Sequence, residues 1–304
     1  MEKLVSKWFN LRPVPQDYIY PPEERPGNNV PIGEGIPVID LSEAEQGDRT
    51  LTIHKILKAA QDFGFFQVIN HGVSENLMDE TMSVLKDFFQ LPDEDKQKFF
   101  TDDFSKSCVY YTSSINYAIE KIHLWRDFLK HPCHPLDKWQ HVWPENPPKY
   151  RECVGACSVQ VKKLASRILE LIGEGLGLES GYLNDELSAH DVYGLQVLNK
   201  DDVWIGVEPI PHAFVVNIGS ILQVISNNKL RSSEHRVVTN SSDARTSAAF
   251  FLSALEESMI EPAKALIDEL HPALYKPFIN KDFVTHFLAS NNYYSEEITK
   301  PFKA

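Results

Sequence analysis

Apolar residues along this chain recur first at helical spacing and later at strand spacing. Leu51, Ile53, Ile56, Leu57 and Ala60 fall three and four apart, which predicts an amphipathic helix, and Gly64 after Phe63 fits its C-terminal stop. Phe65-Phe-Gln-Val-Ile-Asn70 follows as a buried strand, with His71-Gly72 as the turn out of it. Ser74 is placed to cap a second helix with Leu77, Met78, Leu85, Phe88 and Phe89 on its apolar face. Pro92 and the acidic Asp93-Glu94-Asp95 open a further helical turn. A long amphipathic helix is predicted from Lys149 to Gly173, with Val161, Leu164, Ile168, Leu169 and Ile172 on its buried stripe. Between these helices, Thr101 to Tyr150 is rich in Tyr, Trp, His and Pro and only weakly periodic.

The texture changes after Asp191. Gly194–Leu198, Trp204–Val207, Ala213–Asn217, Leu222–Ile225, His235–Val238 and Thr246–Leu252 are short β-type runs, separated by Asn199–Asp202, Asn227-Asn228 and Asn240–Asp243 as turns. A final helical segment is expected from Pro262 to Leu270. At the other end, Pro13, Pro15, Pro21, Pro22 and Pro26 each fix φ and remove a donor, which makes residues 1–35 an extended arm. Helices first and evenly spaced short strands last make an α+β fold, with a mostly helical region at 36–190 and a jelly-roll-like β region at 191–304.

A chain of 304 residues can bury a full core without covalent or metal staples. Its 43 acidic side chains against 30 basic ones, a net charge of −13, argue against nucleic-acid or anionic-membrane partners. No run of about 18 apolar residues marks a membrane span, so a cytoplasmic protein acting on a small molecule is expected. Cys108, Cys133, Cys153 and Cys157 lack the spacing of a disulfide framework, and the last two, one helical turn apart, are expected as core fillers. Gly173, Gly175 and Gly177 follow a helix, the reverse of what a dinucleotide-binding loop requires.

The residues left to carry chemistry lie in the β half. Alternation puts His235 on the face of Val237, expected to be interior, as either a satisfied core histidine or a ligand. Arg245 and Ser247, two apart, share one face of a strand. An inward guanidinium must be paired, and its fork suits a carboxylate held bidentately, from a ligand or from a protein carboxylate such as Asp243.

Six segments in order, Ile36-Pro-Val-Ile-Asp-Leu41, Asp62–Gly72, Gly194–Leu198, Ala213–Gly219, Ser233–Val238 and Arg245-Thr-Ser247, resemble the plant Fe(II)- and 2-oxoglutarate-dependent dioxygenases. Within that family Val207–Pro211 and Tyr275-Lys-Pro277 are similar to the hyoscyamine-hydroxylase-like group of alkaloid enzymes. The resemblance implies a double-stranded β-helix (jelly-roll) core behind an N-terminal helical layer. It implies Fe(II) held by a His-x-Asp pair and one distal His, with 2-oxoglutarate as co-substrate. His235 matches the distal His, and Arg245 and Ser247 match the pair that binds the far carboxylate of 2-oxoglutarate.

One part of the pattern is absent. The family carries an Asn-Tyr-Tyr-Pro strand, the His-x-Asp strand and a short apolar strand ahead of Gly-Leu-Gln-Val. Here Leu187 runs directly into Ser188-Ala-His-Asp-Val-Tyr-Gly194, as though those strands had been removed as one block. His190 and Asp191 are stand-ins for the lost ligands, but as neighbours on a strand they point to opposite faces. The expected consequences are weak iron binding, a 2-oxoglutarate grip reduced to Arg245 and Ser247, unpaired strand edges, and lost packing partners for Ile218, Leu222 and Phe250. Two functions fit: an impaired oxygenase whose parent reaction hydroxylates a small, alkaloid-like plant specialised metabolite, or a non-catalytic truncated or splice-variant derivative without turnover.

Overall fold

The computed structural model of the chain describes residues 4–8, 14–25, 30–31, 36–114, 117–179, 186–190, 193–239, 244–290 and 295–304, with backbone alone for 186–190 and 295. Its strands are β1 (Val38–Asp40), β2 (Phe65–Ile69), β3 (Val109–Thr112), β4 (Asp127–Lys130), β5 (Glu186–His190), β6 (Leu195–Leu198), β7 (Trp204–Gly206), β8 (Phe214–Asn217), β9 (His235–Val237), β10 (Ser247–Phe251), β11 (Met259–Ile260) and β12 (Phe278–Ile279). The chain falls into two compact units, Met1–Gly27 with Ser74–Val159, and Asn28–Val73 with Gln160–Ala304.

The first unit is built on the helix Glu75–Gln90, the start of the helix Tyr150–Leu176 and the β3–β4 hairpin. Ser74 caps the first of these as the spacing predicts, its Oγ accepting from Leu77 N at 3.4 Å. Phe88, Tyr110, Trp143 and Tyr150 are almost wholly buried in one aromatic core with Leu4, Val84 and Cys153. The hairpin lies in the weakly periodic stretch, where all four β3 residues are buried and no period-2 alternation was available to announce a strand. The described part of the arm forms short 3-10 turns rather than an extended run. Leu4 is fully buried, and the Asp127 carboxylate accepts from Val5 N and Ser6 N at 2.9 and 2.8 Å. All four cysteines are free, Cys153 and Cys157 are buried as expected, and burial pushes the Cys133 thiol up to about 11.

Besides the short antiparallel pair β11–β12, the second unit carries two larger sheets. One has strand order β1-β2-β8-β5-β10, parallel between β1 and β2 and antiparallel elsewhere, and the other has order β7-β6-β9. Phe65 and Val215 on the first sheet and Leu195, Val197 and Val207 on or beside the second form one buried cluster, so these faces look at each other. The Asp40 carboxylate ties β1 to the end of β2. It accepts from Ser42 Oγ at 2.6 Å, which holds its pKa below the usual range, and from Asn70 Nδ2 at 2.7 Å.

Several expectations are corrected here. Leu222–Ile225 lies in the helix Ser220–Ile225, because Leu222, Val224 and Ile225 around Gln223 fit a buried helical turn as well as a strand. Pro262–Leu270 holds only the 3-10 turn Lys264–Leu266, and the last long helix is Asn280–Ala289. The turn residues Asn227 and Asn228 do adopt left-handed backbone, with φ of 51° and 63°. The Asn240–Asp243 turn lies outside the described residues.

Gly175 marks a close approach of the long helix to the helix Arg49–Asp62. A Cβ there would lie 2.6 Å from Ile53 Cγ2 and 2.7 Å from Leu57 Cδ1. Gly175→Ala gains about 1 kcal/mol of helix propensity, but overpacking costs about 1–3 kcal/mol. A net loss in the urea midpoint is expected, with an unchanged or raised midpoint as the contrary result.

Candidate functional site

Of the site candidates of the β half, His235 and Ser247 sit on two edge strands, with Arg245 just ahead of the second. Among the described residues β9 ends the second sheet and β10 ends the first. In β9 the register sets His235 opposite Val197 and Val237 opposite Leu195. Both partners are buried, so His235 and Val237 share the inward face, as the alternation predicts. Burial does not follow. Val237 is 53% exposed and His235 is exposed, because no described strand pairs beyond β9. The His235 ring leans on Phe65 of β2, with centroids 5.2 Å apart, and its Nδ1 is 3.5 Å from the Ser233 carbonyl oxygen. Arg236, between the two, faces the other way. Its Nε donates to Gln196 Oε1 at 2.8 Å and its guanidinium lies 3.9 Å over Trp204, where desolvation lowers its pKa.

Ser247 opens β10 and is exposed. Cross-strand rows assign its face: Asn217 pairs with Phe65 and with Glu186, which pairs in turn with Phe251. Phe65, Asn217, Phe251, Ala249 and Ser247 therefore share the face turned to the second sheet. Phe251 on that face is nevertheless 72% exposed. Arg245 precedes the strand and is half-buried. Its Cδ, the Val237 Cγ1 and the Val238 carbonyl oxygen converge on Gly194, where a Cβ would meet them at 3.2, 3.4 and 3.1 Å. Val238 N donates to the Gly194 carbonyl at 2.9 Å. Glycine at 194 is thus what lets the Arg245 stem lie against the end of β9.

His190 ends β5 and stands opposite Ser247 in register, with its side chain outside the description, and Asp191 lies outside the described residues altogether. Ile218 and Leu222 remain buried, contrary to the expectation of lost packing, while Phe250 is only half-buried. His71 and His212 belong to the frame. His71 Nε2 donates to the His212 carbonyl at 2.7 Å and Nδ1 accepts from Val73 N at 3.1 Å, which engages both ring nitrogens.

Among the described residues no three His, Cys, Asp or Glu side chains come together as a group able to hold a metal ion. Iron lies low in the divalent affinity order and depends on ligand number, so the described side chains alone do not make up a set for it. Two buried polar atoms of the second unit lack a hydrogen-bond partner among the described residues, Asn217 Oδ1 on the inward face and Ser233 Oγ beside Gly64. Asn217 was passed over in the sequence as the end of an apolar run. Its signal was a polar residue at the alternation position of the buried Val215. No described helix is long and apolar enough to cross a membrane.

Residues 36–146 match the family described as non-haem dioxygenase in morphine synthesis N-terminal, and residues 182–254 match the 2OG-Fe(II) oxygenase superfamily. Hyoscyamine 6-dioxygenase of Hyoscyamus niger is 39% identical, the alignment covering 100% of this chain and 99% of the relative. It runs over 347 positions, so with 304 residues in this chain at least 43 of them, 347 against 304, face no residue here. Flavanone 3-dioxygenase 2 of Oryza sativa subsp. japonica is 35% identical, covering 91% of each chain. A crystal structure of JOX2 in complex with 2OG, Fe and JA superposes with a TM-score of 0.81 at 27% identity, covering 99% of this chain and 98% of that one. The two facing sheets are accordingly the jelly-roll core of that fold. With its N-terminal and catalytic halves matched in order, the chain belongs to the 2OG-Fe(II) oxygenase superfamily.

Proposed function

We propose that this chain is an oxygenase by descent that keeps a grip for 2-oxoglutarate at Arg245 and Ser247 but lacks two of the three anchors for iron, and so does not turn over. The observation that carries this is the donor set: His235 on an exposed edge strand, with no described group of three metal-binding side chains around it. The unfilled alignment positions match in number a lost block of some tens of residues, which the residue order puts between Leu187 and Ser188. The same loss is supported by β5, whose residues come from both sides of that junction and which fills the slot between β8 and β10. The block would have covered the free edges of β9 and β10, and its absence accounts for the exposure of Val237 and Phe251 on an inward face.

The parent reaction is hydroxylation of a small plant specialised metabolite. The relative that acts on hyoscyamine supports an alkaloid-like substrate, and the flavanone relative supports the broader class. When bound, iron with 2-oxoglutarate supplies the oxidising chemistry of this family. The residues of this chain contribute positioning: the Arg245 fork and the Ser247 hydroxyl are suited to one carboxylate of the co-substrate, and Gly194 provides the seat for the arginine stem.

Succinate release from 2-oxoglutarate, with Fe(II) and a reductant supplied, tests this function. The expected result is release no faster than without protein, and steady release proportional to protein would overturn it. If release did occur, His190→Ala and Asp191→Ala should each abolish it. Survival of either variant would remove that residue from the ligand set. The carboxylate grip is tested separately, because Arg245→Ala should erase any 2-oxoglutarate-induced rise in melting temperature. An undiminished rise would place the anion elsewhere.

A further inference from the structure

In the first unit, a buried carboxylate that the proposed function does not use closes a strained connection. Residues 113–126 link β3 to β4. Ser113 begins this link fully buried with φ of 59°, a left-handed backbone that costs a non-glycine residue about 1–2 kcal/mol. Such a conformation persists where its surroundings over-determine it. Ser113 N donates to the Arg126 carbonyl at 2.8 Å, Arg126 Nε donates back to the Ser113 carbonyl at 2.9 Å, and Ser113 Oγ accepts from Leu124 N at 2.7 Å.

Glu120 gathers these groups. Its Oε2 accepts from Ser113 Oγ at 2.6 Å and lies 2.9 Å from His123 Nδ1, and its Oε1 accepts from Ser114 Oγ. The Glu120 and His123 side chains are only 11% and 16% exposed, so their pairing is shielded from solvent. His123 carries the connection on to the arm. Its backbone N–H donates to the Asp17 carbonyl at 2.8 Å. Its ring stacks on Tyr117 at 3.8 Å and lies 5.4 Å from Tyr18, whose ring also meets Trp125 edge-on at 5.0 Å. Tyr18 is 7% exposed, and burial raises its pKa.

We propose that Glu120 is the clasp of a conformational latch: its carboxylate closes the 113–126 connection and, through His123, seats the Gln16–Tyr18 turn of the arm, so that losing it frees both while β3 and β4 stay paired. Neither serine can replace the clasp, since each is a donor toward the same carboxylate. Removing Glu120 takes the shared acceptor from two buried hydroxyls and the hydrogen-bond partner from His123 Nδ1. The hairpin ladder has its own support, from the register Val109↔Lys130 to Thr112↔Asp127 and from the packing of Tyr110 in the aromatic core.

Amide hydrogen exchange on the full chain separates this from general stabilisation. Glu120→Ala is expected to speed exchange at Ser113, His123 and Leu124 at least about tenfold and to open the arm to proteolysis after Tyr18, with the amides pairing β3 to β4 unchanged. Equal acceleration across β3 and β4, or no acceleration at Ser113 and Leu124, would overturn the latch. Should Glu120→Ala fail to fold, Glu120→Gln keeps a carbonyl acceptor and loses the charge. It should give a smaller acceleration at the same amides, and a folded Gln variant with parental exchange would equally overturn it.

Discussion

Inserting, between Leu187 and Ser188, the segment of the Hyoscyamus niger relative proposed to be missing there should convert this chain into an iron-binding protein. Succinate release should then rise on the order of 100-fold or more above the parent, since a bound metal contributes several kcal/mol to reactions of this kind. His235 and Ser247, proposed as iron ligand and as part of the 2-oxoglutarate grip, already stand on strands whose inward faces look at each other, with Arg245 just ahead of β10. The insertion splits β5, but the restored block brings its own strands for the slot between β8 and β10. Covering the edges of β9 and β10 should also bury Val237 and Phe251, now 53% and 72% exposed, and reduce aggregation. A chimera with native-like circular dichroism that binds no iron would show that the missing anchors lie elsewhere.

The second large effect is acid sensitivity of the first unit. His131 lies among Trp143 and Tyr150, its ring stacked 4.5 Å from the indole and its Nε2 2.9 Å from the Tyr150 hydroxyl. Burial pushes its pKa down from 6.5 to about 4. A histidine held neutral in the folded state contributes stability above its unfolded pKa, and that stability is lost as the unfolded chain takes up the proton. The loss therefore accumulates as pH falls from about 6.5 to about 4, and amounts to about 3 kcal/mol. Urea unfolding of the parent should weaken by that much more over this window than unfolding of His131→Gln. Parallel pH curves for the two would contradict it.

Much of the second unit was legible in residue order because its strands are short, β-branched and bounded by Asn and Gly turns. Phe65–Asn70 and Ala213–Asn217 fall where β2 and β8 do, give or take a residue. The inward face of His235 was legible too, since alternation alone determines it. Its exposure was not, because burial depends on a neighbouring strand that no local pattern of β9 can report. Nor was β5 legible: Glu186–His190 alternates poorly, and its place between β8 and β10 comes from their open edges rather than from its own residues. Leu222–Ile225 failed for a different reason, since three apolar residues within four positions are too few to set a period. The Glu120 clasp lay hidden because its partners, Ser113, Ser114 and His123, are ordinary loop residues until the chain turns left-handed at Ser113.

The central claim is that too few protein donors converge near His235 to hold iron. Anaerobic titration of the full chain with Fe(II), followed by isothermal calorimetry, tests it most directly. Weak, non-stoichiometric uptake that His235→Ala barely alters is the predicted outcome. Tight one-to-one binding abolished by His235→Ala would mean that two further side chains complete the site, and would contradict the account.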